Sequence, residues 1–500
     1  MKKFIVFAVV LALLVPAAAF AATEFSLGGF IKLDAMWDSN PAVGKNINGL
    51  PARKNDLNNN HGRMKFTAQG SRFSFTIKGP KLWGADVSGY LEMDFDAAEN
   101  GLTASSVAGT QGVAFNGTSK SYTPRVRHAM FRFNWPTSEL LFGQYFSMFS
   151  EWYAESAEDG PLQMTGTPTA RLAQIRFTQK FLSDWTVAAL IGDANQALLN
   201  STAVGNSGIT GFYNAAINNG QSAETPQVQG KVQYQHDFWG KAAYYGKPIP
   251  FTAQVVAGWQ RNVIREGLMT GYSTLGSPAI DNALVAAVFN SRNQYLNPWM
   301  VLGSLFIPVV PTQSANLAGT ASILTNWWIG QGVEAFGMTG VASNLFRFDS
   351  NTQNGPTAQV YKAQLLQKFG GFVQGQYYFN NQWFVNALYG VAKAYGVNRS
   401  RFNRGNAAQN GLNGMEWFMG DNAQTIQQAS ATLWYRPIQA IKFGLQYSYT
   451  AATYFAYALP SASNAGIPVF APAIAAAANN VNRSNFGDDH RVEFVGFFYF

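Results

Sequence analysis

Hydrophobic and polar residues alternate along most of this chain. In the stretch EFSLGGFIKLDAMWD, the hydrophobic residues Phe25, Leu27 and Ile31 share one parity, and the charged residues Lys32 and Asp34 share the other. Because successive side chains of a β-strand point to opposite faces, this pattern predicts a strand with one apolar and one polar face. The same alternation recurs in PQVQGKVQYQ, FTAQVVAGWQ, GGFVQGQYYF, IKFGLQYSYT and the closing RVEFVGFFYF.

The alternation predicts about sixteen strands. They span residues 25–38, 63–78, 85–97, 124–135, 138–148, 170–181, 185–193, 226–238, 251–263, 293–308, 316–330, 364–379, 382–395, 424–435, 440–453 and 487–500. In the second of them the hydrophobic parity changes near Gly70, which predicts a β-bulge. Tight connections such as WPTS and FNNQW alternate with long ones rich in Asn, Gly and Ser. This order predicts an antiparallel up-and-down meander.

The length and the charges of these strands separate a membrane barrel from a soluble β-sandwich or β-propeller. Strands of roughly 10–15 residues exceed the usual 5–6 and suit a tilted crossing of a bilayer. The polar faces carry long charged side chains such as Glu92, Arg176 and Lys231, which a dry core could bury only at a large desolvation cost. We therefore predict an all-β fold, a transmembrane antiparallel β-barrel with apolar faces toward lipid and polar faces toward water, short periplasmic turns and long extracellular loops.

The N-terminal stretch MKKFIVFAVVLALLVPAAAFAA combines two lysines, an apolar run and an A-x-A motif at Ala19–Ala21. This pattern predicts a signal peptide over residues 1–21 and one barrel domain over residues 22–500. Charged residues make up 12% and aromatic residues 15% of the chain, against about 25% charged in globular proteins. With a mean hydropathy of −0.07, this composition fits alternating strands.

Several classes of function are disfavoured. The chain has no Cys, which excludes disulfides, thiolate metal sites and c-type haem attachment, so we expect no cofactor. The net charge is +8, but no block of Lys and Arg indicates a nucleic-acid partner. The sequence contains no G-x-S-x-G, H-E-x-x-H or P-loop motif, so we do not expect an enzyme.

Four segments occur in an order typical of one family: GGFIKLDAMWD, SRFSFTIKG, VSGYLEMDFD and RVRHAMFRFNWPTSELLFGQYFSMF. Over its whole mature length the chain resembles the DcaP-like branch of the Gram-negative outer-membrane porins. The resemblance implies a homotrimer of sixteen-strand barrels in the lipid of the cell outer membrane. It also implies passive diffusion of small hydrophilic solutes and ions, often anionic ones. DcaP-type chains often carry a periplasmic coiled coil before the barrel, whereas here the first strand directly follows the signal peptide.

The end of the chain carries aromatic residues on both faces of the last strand. Three of them share the lipid-facing parity, and the resemblance implies that they form the signal read by the outer-membrane assembly machinery: Phe494, Phe498 and Phe500. Val495, Phe497 and Tyr499 share the lumen-facing parity instead. The sequence leaves open whether these three plug the rim of the barrel or pack against the first strand.

A porin selects solutes at a constriction, and the third long loop, FSEWYAESAEDGPLQMTGTPT, is the candidate for it. We expect this loop to fold into the lumen and to present its carboxylates, those of Glu151, Glu155, Glu158 and Asp159. Basic residues on the lumen faces would oppose them: Lys32, Arg72, Arg127, Arg176, Lys231, Lys442 and Arg491. Opposed charges of this kind give a transverse field that orients dipolar or charged solutes. For the channel as a whole we expect a mild anion preference. Alternatively, the loop lies outside the barrel and its carboxylates are only solvated.

Two further features admit more than one interpretation. Glu92, Asp94 and Asp96 share a face and could hold a divalent cation, although we favour pairing with basic residues on neighbouring strands. The side chains of Arg125, Arg127 and Arg132 fit either face of their strand.

A different class of function is a barrel that acts as a sheath for a partner, such as a multihaem cytochrome electron conduit. The lumen of such a sheath should lack an inward-folded acidic loop.

Overall fold

The computed structural model describes the chain largely as β-strands. It covers residues 24–40, 51, 54, 61–96, 99–100, 121–158, 165–194, 223, 225–265, 267–270, 293–338, 345–350, 358–395, 423–454 and 484–500. Among these residues, none of the helices has the length and apolar character needed to cross a membrane. The short 3-10 helices span Met148–Ser150 and Val333–Phe336.

The strands are numbered in chain order. They are β1 (Glu24–Asp38), β2 (Arg63–Thr67), β3 (Arg72–Lys78), β4 (Asp86–Asp94), β5 (Glu99–Asn100), β6 (Ser121–Tyr122), β7 (Arg125–Asn134), β8 (Ser138–Phe146), β9 (Arg171–Phe181), β10 (Trp185–Gly192), β11 (Gln227–His236), β12 (Ala242–Tyr244), β13 (Lys247–Ile249), β14 (Phe251–Trp259), β15 (Asn262–Arg265), β16 (Gly267–Thr270), β17 (Asn293–Leu296), β18 (Trp299–Val310), β19 (Ala321–Gln331), β20 (Leu345–Ser350), β21 (Ala358–Gln364), β22 (Gln367–Tyr378), β23 (Trp383–Tyr395), β24 (Ala423–Ile438), β25 (Ile441–Tyr454) and β26 (Phe486–Tyr499).

One antiparallel sheet of 17 strands closes on itself. Strand β26 pairs with β1 from Phe30↔Tyr499 to Asp38↔Arg491, so the first and last strands close the barrel. Strands β2 and β3 pair with opposite halves of β1, so together they form one wall strand. The 17 strands of the sheet therefore make a barrel of sixteen wall strands. The predicted barrel is thereby confirmed. We call the side with short connections, such as residues 182–184 and 439–440, the turn end, and the opposite side the loop end.

The outer and inner faces of the barrel have opposite polarity. In β26, Phe494 and Phe498 on the outer face are 42% and 49% exposed, whereas Arg491 and Glu493 on the inner face are fully buried. Phe500, just beyond the strand, is also exposed. Comparable exposed apolar side chains occur on strands all around the barrel, far more than a soluble monomer leaves in water. Hydrocarbon is the solvent that suits this outer face, and the closed ladder satisfies the backbone hydrogen bonds within it.

Among the register irregularities of the described strands, two bear on the parity of predicted residues. The wall strand formed by β2 and β3 is interrupted at residues 68–71, which confirms the bulge predicted near Gly70. A second irregularity lies between β4 and β7, where Glu92 faces His128 but Met93 faces Val126. Arg127 is the extra residue, and both Arg127 and His128 are buried inside. This bulge explains why alternation alone could not assign the side chains of this strand.

The lumen-facing aromatic residues at the end of the chain pack against the first strand. The ring of Phe497 lies 5.5 Å from that of Phe30 in an edge contact, and the ring of Tyr499 lies 5.7 Å from Phe30. Val495, Phe497 and Trp434 belong to one buried cluster in this part of the wall. The sequence left open whether these residues pack against the first strand or plug the rim. They do both, because they contact β1 and fill the lumen near the turn end.

The lipid-facing assignment can be tested at the outward-facing Leu445, which pairs with Leu433 and Phe494 on the adjacent strands. A lysine on the lipid face near the middle of a barrel strand costs about 2–4 kcal/mol. We expect Leu445→Lys to lower the free energy of unfolding in lipid vesicles by this amount, measured by denaturant titration. Leu445→Met, which preserves volume and polarity, should unfold like the wild type. Equal stability of the lysine variant would show that this face does not contact hydrocarbon.

Candidate functional site

A loop between β8 and β9 enters the barrel. Loop 3 comprises residues 147–170, of which 147–158 and 165–170 are described. It starts with the 3-10 helix Met148–Ser150, whose first turn is capped by the Ser147 hydroxyl accepting from the Phe149 amide at 3.3 Å. Phe149 packs on Phe336 with a ring distance of 5.3 Å. Gly258 permits this packing, since a Cβ there would lie 2.7 Å from the Phe149 ring.

Amide side chains of the barrel wall bind the backbone of loop 3. Gln374 accepts from the Glu155 amide at 3.1 Å and donates to the Glu155 carbonyl at 2.9 Å. Asn326 donates to the Trp152 carbonyl at 2.9 Å, and Gln446 accepts from the Ala157 amide at 2.8 Å. Backbone groups withdrawn from water need such partners. The loop therefore follows the inner wall across β19, β22 and β25.

Salt bridges join the loop carboxylates to the same wall. Glu151 binds Lys231 at 2.6 Å and Arg176 at 3.2 Å. Glu155 binds Lys442 at 3.1 Å, and both side chains are nearly fully buried. Pairs that are desolvated to this degree hold a loop more firmly than exposed pairs do, because loss of one partner leaves an uncompensated buried charge.

The remaining loop carboxylate that is described, Glu158, lies at the end of this path. Its carboxylate accepts from Gln428 at 2.9 Å, and Lys32 donates to the neighbouring Ala157 carbonyl at 2.7 Å. Burial raises the pKa of Glu158 to about 7, although the charges of Arg491 and Lys32 and the Gln428 hydrogen bond act in the opposite direction. The carboxyl group therefore changes charge near neutral pH.

These contacts refine the arrangement expected from the sequence. Loop 3 lies inside the barrel, but its carboxylates do not face the basic residues across a gap. Arg176, Lys231 and Lys442 anchor the loop to the wall on which it lies. Asp159 lies outside the described residues.

The other predicted basic residues have their charged or ring partners on the wall, and Lys32 also contacts the loop at the Ala157 carbonyl. Arg491 binds Asp38 at 2.6 Å, and Lys32 binds Asp34 at 2.6 Å. Arg72 lies over the Phe30 ring, 5.2 Å from its centroid.

The carboxylate stripe of β4 is paired with arginines of β7, which is the interpretation favoured from the sequence. Asp94 binds both Arg125 and Arg127 at 2.7 Å, and Glu92 binds Arg127 at 2.5 Å. Arginine forks match carboxylates in this way and neutralise them. The stripe is thus a network of ion pairs.

Arg171 is an inner-wall cation that the alternation missed. It starts β9, where the outward parity of Ala173 and Ile175 would assign it to lipid. Its guanidinium instead lies 5.0 Å from the ring centroid of Phe146, which also packs against Tyr153 of loop 3 at 5.6 Å. Among the described residues, Arg171 has no salt bridge. Its proximity in sequence to the loop was the signal that could have identified it.

Tyr153 extends from loop 3 toward this basic part of the wall. Burial raises the pKa of Tyr153 to about 12, while the nearby positive charges of Arg171, Arg127 and Arg72 act to lower it. The phenol therefore stays neutral at physiological pH. The Tyr153 hydroxyl is itself withdrawn from solvent.

The comparisons with known proteins concern the fold. No family model and no curated protein matches the chain. Among solved structures it is similar to the outer membrane channel DcaP of Acinetobacter baumannii, with 14% identity and a TM-score of 0.57, over 96% of this chain and 98% of that one. It is also similar to an anion-selective porin from Comamonas acidovorans, with 8% identity and a TM-score of 0.46, over 96% and 100% of the two chains. Of these two, the DcaP similarity alone is strong enough to show a shared fold, and this chain has that channel's barrel fold.

Glu158 makes the docking of loop 3 depend on pH. The pKa of Glu158 in the docked loop is raised above the ordinary value of 4.5, so protonation of this carboxyl group favours docking. The docked loop should therefore gain stability as the pH falls from about 7 toward 4.5, and lose that stability as the pH rises through 7. Glu158→Gln removes this titration. We expect its denaturation midpoint in vesicles to exceed that of the wild type at pH 8 and to converge with it near pH 5. Glu24→Gln, at an exposed position, should follow the wild type throughout, and a pH-independent difference for Glu158→Gln would contradict the assignment.

The buried pair of Lys442 and Glu155 should dominate the anchoring of the loop. Lys442→Met keeps the hydrophobic stem but leaves Glu155 without its cation, so we expect a loss of about 3–5 kcal/mol in the stability of the docked loop. Lys78→Met, which breaks the exposed pair with Glu24, should cost at most about 1 kcal/mol. Cleavage within loop 3 by a broad-specificity protease measures the difference. Equal cleavage of both variants would show that the buried pair does not hold the loop.

Proposed function

We propose that the protein is an outer-membrane porin that forms a water-filled channel for passive diffusion of small hydrophilic solutes and ions. The observation that carries this proposal is the inward-folded loop 3, fixed by buried hydrogen bonds and salt bridges inside a barrel whose outer face is apolar. A loop fixed inside the lumen narrows the channel and leaves the barrel wall intact. The turn end then faces the periplasm and the loop end faces the outside.

A mild anion preference is part of the proposal. Of the three described loop carboxylates, those of Glu151 and Glu155 are neutralised by basic residues of the wall, so these two add little negative field. Arg171 keeps partial exposure on the inner wall, and it has no salt bridge among the described residues. Exposed cations in a narrow aqueous lumen with low-dielectric walls raise the local concentration of anions.

The same loop disfavours the sheath hypothesis. A barrel that encloses a multihaem partner needs a lumen wide enough for a polypeptide. Here loop 3 crosses from β8 to hydrogen-bond with Gln446 of β25, and the lumen volume it occupies is lost to any threaded partner. This observation supports a diffusion channel over a sheath.

The proposal extends to maturation and assembly. Residues 1–21 would be removed as a signal peptide, which leaves residues 22–500 as the barrel domain. Phe494, Phe498 and Phe500 all project outward near the C-terminus, where the assembly machinery could bind them. A homotrimer rests on the resemblance to DcaP-like porins, and cross-linking of the purified protein in detergent tests it.

The channel and its preference can be tested together in planar bilayers. We expect ion conductance with weak anion selectivity, and we expect Arg171→Ala to shift the reversal potential in a salt gradient toward cation permeation. Neutralising the loop carboxylates is a poorer test, because it would also release the loop. Lys78→Ala, which removes an exposed charge at the turn end, serves as the control. A folded barrel without conductance would refute the porin proposal, and unchanged selectivity of Arg171→Ala would refute the role of this residue.

A further inference from the structure

The connection between β11 and β14 differs from the other connections at the turn end. It spans residues 237–250, whereas β9 and β10 are joined by residues 182–184 alone. Strands β12 and β13 pair within it, from Ala242↔Ile249 to Tyr244↔Lys247. We call residues 242–249 the lumen hairpin. Its tip, Tyr245–Gly246, has positive φ at both positions, 49° and 74°, as the tight turns of two-residue hairpins require.

The lumen hairpin folds back into the barrel. Ala242 and Ala243 are buried, and the Ser322 hydroxyl of β19 donates to the Ala243 carbonyl at 3.1 Å. Ala242 belongs to a buried cluster with Phe306 and Leu324, which are inward-facing residues of β18 and β19. The hairpin therefore packs along the inner wall from the turn end.

Loop 3 and the lumen hairpin meet inside the barrel. The Tyr153 amide donates to the Tyr244 hydroxyl at 3.1 Å, and the Tyr245 hydroxyl donates to the Ala154 carbonyl at 2.8 Å. The rings of Trp152 and Tyr244 lie 4.9 Å apart. Two consecutive residues of the loop thus depend on the hairpin for their backbone partners, and an unpaired buried backbone group is costly.

The contacts with the hairpin lie in the part of loop 3 between its two salt-bridged residues. The wall holds the loop by salt bridges at Glu151 and Glu155, on either side of the segment that the hairpin binds. Within that segment Trp152 donates to Gln254 of the wall at 3.1 Å, and Tyr153 packs on Phe146 beside Arg171. The hairpin therefore sets the position of Tyr153, the loop side chain beside Arg171, which has no salt bridge in the described part of the chain.

We propose that the lumen hairpin is a brace for the constriction, in which Tyr244 and Tyr245 are positioning residues that hold loop 3 at Tyr153 and Ala154. This inference rests on the proposed channel function and deepens it. The narrowest part of the pore is then built from both ends of the barrel, by a loop from outside and a hairpin from the periplasmic side. Loss of the brace lets the segment 152–154 leave the wall and obstruct the lumen.

The test is a pair of conservative substitutions, Tyr244→Phe and Tyr245→Phe, combined in one variant. They remove two hydroxyl groups and keep the packing of the rings. Two lost hydrogen bonds increase the population of the displaced loop about 5–30-fold, so we expect closures in single-channel recordings to become more frequent by this factor at a given voltage. Tyr377→Phe, on the outer face, is the control and should close like the wild type.

A second variant replaces residues 240–250 by a tight turn as short as residues 182–184. If it runs as a folded barrel in heat-modifiability gels, we expect larger open-state conductance together with frequent closures. Wild-type conductance and closure rates in both variants would overturn the brace. A wild-type barrel that conducts nothing would instead refute the channel function, and the brace would then be judged by protease cleavage in loop 3, which must be faster in both variants than in Tyr377→Phe.

Discussion

The structure depends on one constraint, which is that every backbone amide and carbonyl withdrawn from water needs a partner. In the wall, closure of β26 on β1 meets this requirement for the whole sheet. Inside the lumen the same requirement applies to loop 3, whose described residues do not pair with a strand of the sheet. Gln374, Gln446 and Asn326 act there as substitutes for a strand edge, and the lumen hairpin supplies the partners between them.

Electrostatics follows from the same burial. A carboxylate near the wall of a narrow lumen loses much of its hydration, and each of the loop's first two acidic residues has a basic partner within salt-bridge distance. Carboxylates that are paired in this way hold the loop in place but add little net charge to the lumen. Among the described residues Arg171 has no such partner, and it is linked to the loop residue Tyr153 through their shared contact with Phe146.

Alternation in the sequence was sufficient to predict the barrel and the inward orientation of residues such as Lys442 and Glu92, because strands have a strict period of two. It was insufficient wherever that period is broken. The bulge at Arg127 places two consecutive side chains inside, and Arg171 lies where a strand begins and the loop ends. The lumen hairpin was missed because KAAYYGKPIP has no feature that distinguishes a hairpin folded inward from one exposed at the rim. The role of the lumen-facing glutamines was also invisible, since alternation records only that they are polar.

The path of loop 3 has a consequence for the order of folding. The hydrogen bond between Ala157 and Gln446 joins residues 289 positions apart, and the one between Lys32 and Ala157 joins residues 125 apart. Contacts of such high contact order form late, after the chain entropy between them has been lost. We therefore expect loop 3 to dock only after β25 and β26 have joined the wall, so that the lumen is narrowed as the barrel closes. A narrowed lumen would then be found only in barrels whose assembly is complete.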